Sequence, residues 1–116
     1  MSLERVIKAL VNLGLPRVDA EVYVYLSKNG PLRVKDLEEK LKLTKKQLTL
    51  SIFNLQKKSV IKATNSLSIE FNAVSFEKVL NLLIEISKKQ TEALNEIKKE
   101  VLSNWKELKR KTSENN

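Results

Sequence analysis

The sequence predicts a mainly α-helical fold with one small β-hairpin, and three observations carry that expectation. Apolar residues recur at helical spacing in four short segments before residue 56, and they alternate with polar residues toward residue 71. From Phe76 to Arg110 no proline or glycine interrupts the chain. With 116 residues the protein can build one compact unit plus an appendage.

Leu3, Val6, Ile7, Leu10, Val11 and Leu13 line one side of a first helix over about 3–13, ended by Gly14 in the place of a left-handed cap. Pro16 suits a first helical position, and Ala20, Val22, Tyr23 and Leu26 carry a second helix, about 17–28, as far as Asn29 and Gly30. Pro31, Leu32 and Arg33 are extended in character. Val34, Leu37 and Leu41 then mark a short third helix, and after a tight connection at Lys42 and Leu43 the Thr44 hydroxyl caps a fourth, with Leu48, Ile52 and Leu55 inward. Two such helices joined by about three residues form a helix-turn-helix. Val60–Thr64, the turn-prone Asn65 and Ser66, and the alternating Leu67–Phe71 add a hairpin, so residues 1–75 are expected to form a winged helix-turn-helix domain.

Ser75 offers an N-cap for a long helix over 76–111, and 112–116 is expected as a disordered tail. At about 1.5 Å per residue the helix would be roughly 50 Å long, more than a small core can cover. Val79, Leu80, Leu82, Leu83, Ile84 and Ile86 wrap nearly all round its first part. Leu94, Ile97, Val101 and Leu108 hold a seven-residue seam with Trp105 beside it, beyond a polar break at Ser87–Thr91. Self-association covers such a stripe, and the expected homodimer interface is coiled-coil-like: Leu80, Leu83, Ile84, Leu94, Ile97, Val101, Trp105 and Leu108. The alternative is a helix folded back on its own domain beside helix one.

Cysteine and histidine are absent, which removes disulfides, thiol nucleophiles, imidazole acid–base chemistry and ordinary zinc sites. The only aspartates are Asp19 and Asp36, the glutamates lie scattered among lysines, and Gly14 and Gly30 make no phosphate loop. An enzyme, a metal or a cofactor is therefore not expected. No apolar run is long enough to span a membrane, and the N-terminus, with Glu4 and no small-residue cleavage site, reads as the start of a helix; a soluble cytoplasmic protein is expected.

The net charge is +8, and no acidic residue occurs between Glu39 and Glu70, where Lys40, Lys42, Lys45, Lys46, Lys57, Lys58 and Lys62 fall. Unopposed like charges in one segment point to a polyanion, here double-stranded DNA. With Leu48, Ile52 and Leu55 inward, Lys45, Lys46, Gln47 and Thr49 lie on or near the opposite face of helix four, just after Thr44, at the end that enters a major groove. Gln47 is suited to adenine, Lys46 to guanine acceptors and Thr49 to a thymine methyl. Lys45, Lys57, Lys58, Lys62, Arg33 and Lys35 are placed as phosphate contacts. Leu50 and Phe53 share an edge that the core stripe does not use. They either pack against helix one or a partner's long helix, or bring Phe53 to the DNA backbone or a thymine methyl.

The runs LGLPRVDAEVYVYL from Leu13 to Leu26, GPLRVKDLEEKLKLTKKQL from Gly30 to Leu48 and LQKKSVIKA from Leu55 to Ala63 resemble the N-terminal domain of the TrmB-like archaeal regulators. Ala20, Tyr23, Leu26, Gly30, Leu43, Leu48 and Leu55 fit its pattern, and the resemblance covers about residues 3–90. It implies sequence-specific binding of double-stranded DNA, dimerisation and control of transcription in an archaeal cytoplasm. Longer members carry a sugar-binding domain after the helix; this chain stops before one, so no sugar effector is implied. Lys42 and Ser59 stand where the pattern has glycine, at positions suited to positive φ. The wing tip, Asn65 and Ser66, lacks the usual basic residue. Two other readings accompany a regulator: an architectural chromatin-type protein with little sequence preference, and a winged-helix protein-interaction adaptor.

Overall fold

Ser2 opens the first helix, its Oγ accepting the Arg5 N–H at 3.3 Å, and α1 (Leu3–Asn12) ends before Gly14, which has φ 108°. The computed structural model describes residues 2–64 and 67–114; the expected hairpin turn at Asn65 and Ser66, and the final two residues of the expected tail, lie outside the described residues. α2 (Arg17–Asn29) follows. Pro16 sits one position earlier than expected, at the N-cap: its ψ of 149° is extended and its carbonyl accepts the Ala20 N–H at 3.0 Å. Arg17 fastens α2 to α1 through two bonds to the Glu4 carboxylate, 2.7 and 2.8 Å, and donates to Glu21 at 2.9 Å. The hydrogen bond from Arg17 holds the Glu4 carboxyl below its ordinary range, and Arg17 is raised in turn.

α3 (Val34–Leu41) and α4 (Lys45–Lys57) are joined at Lys42, which adopts the left-handed conformation at φ 54°, ψ 37°. β1 (Ile61–Ala63) and β2 (Phe71–Ala73) pair antiparallel, Ile61 opposite Ala73 and Ala63 opposite Phe71. The second strand thus begins where the alternating run was expected to end. Phe71 is gripped on its other edge by Leu32, through Leu32 N–H to Phe71 O at 3.1 Å and Phe71 N–H to Leu32 O at 2.8 Å. This non-local bridge ties the strand to 71–73, and Leu67 and Ile69 of the expected strand are exposed. Thr64 N–H to Glu70 O at 2.8 Å closes the base of the wing.

The chain divides into two compact units, residues 1–84 and 85–116, with the division falling within α5 (Phe76–Glu114). In the first unit, Leu10, Leu15, Ala20, Tyr23, Leu26, Leu37, Leu48, Leu55, Val60, Ile61, Val79 and Leu83 form one buried core. Burying a leucine of this kind contributes roughly 2 kcal/mol by area removed from water. The Tyr23 hydroxyl donates to the Val74 carbonyl at 2.6 Å, and burial pushes its pKa up. Tyr23 thus joins α2 to the segment between wing and α5. In the second unit every described side chain from Ser87 to Lys111 is exposed. α5 reaches Glu114, past the expected end at residue 111.

Candidate nucleic-acid interface

The geometry of α4 begins with its cap. Thr44 Oγ1 accepts the Gln47 N–H at 3.1 Å while Gln47 Oε1 accepts the Thr44 N–H at 3.0 Å, a reciprocal box that satisfies two otherwise orphaned donors. Thr44 caps the helix, and the Gln47 amide oxygen, expected to reach adenine, is turned back to the helix N-terminus. Reaching an adenine with both ends of that amide would give up the Gln47 Oε1 half of the box, while the Thr44 Oγ1 bond to the Gln47 backbone N–H remains. The signal was present in the Thr44-Lys45-Lys46-Gln47 spacing, which matches the box signature.

The side chains divide cleanly around the helix. Leu48, Ser51, Ile52 and Leu55 are buried. At about 100° per residue, the line opposite their centre runs through Lys46 and Lys57, with Phe53 and Leu50 about 30° to either side. Leu50 and Phe53 are 60% and 61% exposed, so packing against helix one does not occupy them. Lys45, Lys46, Thr49, Leu50 and Phe53 together line a shallow open groove. The Thr49 hydroxyl donates to the Lys45 carbonyl at 2.7 Å, within the helix, leaving its methyl as the group available to a partner. The importance of Leu50 and Phe53 was legible only from the whole helical wheel, because the core stripe alone suggests an edge.

On the flank nearer α2, Gln47 and Asn54 border a hollow of about 270 Å³ with Pro16, Val18 and Asp19. Asp19 Oδ2 and Ser51 Oγ, from residues that line it, are buried without a hydrogen-bond partner among the described residues.

The expected phosphate contacts lie on different elements. Lys45 and Lys57 lie on α4, Lys35 on α3 and Lys62 on β1, all exposed, while Lys58, the C-cap of α4, is half-buried. Among the described residues none of these five lysines, nor Lys46, is in a salt bridge, so their charge is uncompensated. Arg33 is partly committed: its Nη1 donates to Ser68 Oγ at 3.4 Å and its Nε lies 3.9 Å from Asp36 Oδ2, which draws the guanidinium toward the wing. The wing itself presents Leu67 and Ile69. Lys42 and Ser59 have φ of 54° and 64°, as their place in the pattern suggested, each at about 1 kcal/mol relative to glycine.

Of the eight residues expected at a dimer interface, Leu83 is 2% exposed and belongs to the core of the first unit, one turn beyond Val79. Leu80 is half-buried and packs on the same core. Ile84, Leu94, Ile97, Val101, Trp105 and Leu108 are all exposed.

Four helices, a hairpin after the second helix of the turn motif and a long closing helix define, among the described residues, a winged helix-turn-helix protein. The profile of the sugar-specific transcriptional regulator TrmB matches residues 10–77, more than half of the chain, and the chain belongs to the TrmB family. Its family and fold are those of transcriptional regulators and not of enzymes. No curated protein matches the chain in sequence.

Among solved structures, the archaeal chromatin protein TrmBL2, described as showing a novel mode of DNA binding, superposes with a TM-score of 0.77 at 22% identity over 93% of this chain. The chain spans 42% of that protein's length. A possible transcriptional regulator of Methanosarcina mazei gives 0.61 at 20% identity, covering 86% of this chain and 88% of its own. A transcriptional regulator of Thermotoga maritima gives 0.57 at 20% identity, covering 98% and 88%. At these identities the likeness is one of fold. Among the described residues no helix is long and apolar enough to cross a membrane.

Proposed function

We propose that the chain is a sequence-specific regulator of transcription that binds double-stranded DNA as a homodimer. One observation carries the reading: the exposed face of α4 bears Lys45, Lys46 and Lys57, without a salt bridge among the described residues, inside a stretch that has no acidic residue from 40 to 69. A helix of 13 residues with that face outward fits a major groove, and the surrounding Lys35, Lys58 and Lys62 suit its phosphate walls. Lys46 is placed to meet base acceptors, and Thr49 to offer its methyl. Thr44 and Gln47 act by fixing the helix start, and Arg33 by holding the wing segment.

The homodimer is supported by the seam of α5. Leu94, Val101 and Leu108 repeat every seven residues, Ile97 lies between them, and Trp105 is adjacent; all are exposed in the single chain. Asn104, seven residues after Ile97, places a polar side chain in the same seam, a device that fixes register at some cost in stability. Two recognition helices would then read half-sites about one turn, 10–10.5 base pairs, apart.

A second reading is favoured by one observation: the structure with a TM-score of 0.77 is a chromatin protein. In that reading the basic face coats DNA with little preference, consistent with Gln47 being turned away. Selection from random duplexes, with the solution mass measured in parallel, separates the two. An enriched pseudo-palindromic motif and a mass of two chains support a regulator; binding with no enriched motif supports coating; no duplex binding at low salt overturns both.

A further inference from the structure

The geometry points to Leu50 and Phe53 as a methyl-reading surface, which selects base pairs carrying a C5-methyl group, thymine above all, in the major groove. This rests on the DNA-binding reading and specifies what the same helix recognises.

Two large apolar side chains, 60% and 61% exposed, stand at the middle of the outward face of α4, where hydrogen-bonding side chains are the usual means of reading bases. Their neighbours decide the occupant. Lys45 and Lys46 line the same groove and Lys57 lies one turn beyond Phe53, so whatever presses on the apolar pair must bring negative charge to its flanks. A purely apolar protein surface lacks that charge, whereas duplex DNA has it continuously on both walls of the groove.

Within the groove, most base edges present donors and acceptors. Pressing leucine or phenylalanine against these would strip their water without replacing the hydrogen bonds, which disfavours such pairs. The thymine methyl is the one apolar group there, and it alone gains from the contact. The Thr49 hydroxyl, bonded to the Lys45 carbonyl at 2.7 Å, leaves a methyl that extends the strip. Cytosine methylated at C5 carries its methyl at the equivalent place, so the same surface favours 5-methylcytosine over cytosine.

The test compares the full chain on two duplexes identical except that every thymine of one is replaced by deoxyuracil, which removes only the methyl. Fluorescence anisotropy at fixed salt should show about fourfold weaker binding for each methyl touched, from the transfer free energy of one methyl group. In the variant Leu50→Ala with Phe53→Ala the two duplexes should bind alike, while the salt dependence, set by the lysines, keeps its slope. Both side chains are largely exposed, so the variant retains the fold; Phe53→Leu, which keeps an apolar tip, should preserve part of the discrimination. Equal affinity of the unaltered chain for the two duplexes, or discrimination that survives in the double variant, overturns the inference and leaves DNA binding standing. Failure to bind either duplex at low salt overturns the DNA-binding reading itself.

Discussion

Residues 1–84 and residues 85–111 are equally helical where they contain helix, yet they use their apolar residues in opposite ways. In the first region Leu10, Leu26, Leu37, Leu48 and Leu55 are wholly buried, and the helices are short because each is held by its neighbours. In the second, Leu94, Ile97, Val101, Leu102, Trp105 and Leu108 are all exposed along a continuous helix. In proteins most helical stability comes from packing of an apolar face. The first region therefore explains its own stability, whereas the second leaves its apolar stripe exposed in the single chain. α4 stands between these cases, with Leu48, Ile52 and Leu55 buried on one side and Leu50 and Phe53 open on the other.

The contrast can be broken most forcefully in the core. Leu26→Ala should lower the unfolding free energy by about 2–5 kcal/mol, read from urea denaturation, while Leu108→Ala at low protein concentration should change it by under about 0.5 kcal/mol. Comparable losses at both positions would erase the distinction between the regions. Next in size is association: Val101→Glu puts a charge into the seam and should weaken the dimer at least about tenfold, more than about 1.4 kcal/mol, in sedimentation equilibrium. A mass distribution identical to that of the unaltered chain would remove the seam from the interface.

Backbone strain gives a smaller effect. Ser59 holds φ at 64°, so Ser59→Gly should raise stability, by up to about 1 kcal/mol less the extra freedom glycine gains when unfolded. A destabilised variant would show that the Ser59 side chain contributes more than its strained backbone costs.

The smallest effect is electrostatic. Glu4 is exposed and has its pKa lowered, chiefly by the hydrogen bond from Arg17, so its contribution is present above the ordinary value near 4.5 and is lost as the pH falls through its lower folded value. Glu4→Gln should therefore lower the melting temperature slightly at pH 7 and not at all once the carboxyl is protonated in both states. A gap that persists in strong acid would mean that the pair acts by packing, not by charge.

The fold was legible where local chemistry decided it. Helix ends fell within a residue or so of Gly14, Gly30 and Thr44, and the residues occupying glycine positions, Lys42 and Ser59, take positive φ. What escaped sequence reading depends on contacts distant in the chain. Alternation alone made Leu67–Phe71 a strand, but the Leu32 bridge fixes Phe71 as the start of one. Leu83 continues a plausible seam, yet the domain core claims it, because Val79 and Leu83 face inward together. At the candidate site the charge was visible in the sequence, whereas the roles within α4 were less so. The Gln47 amide oxygen is bonded at the cap, and Leu50 and Phe53 flank Lys46 and Lys57 on the outward face.

In the DNA-binding reading the outward face of α4 meets duplex DNA. That contact is tested most directly by titrating one duplex with the unaltered chain and with Lys45→Ala, Lys46→Ala over a range of salt concentrations. The predicted result is weaker binding at every concentration and a log–log salt slope shallower by up to about two per subunit, one for each phosphate no longer neutralised. Superimposable curves for the two proteins would contradict it.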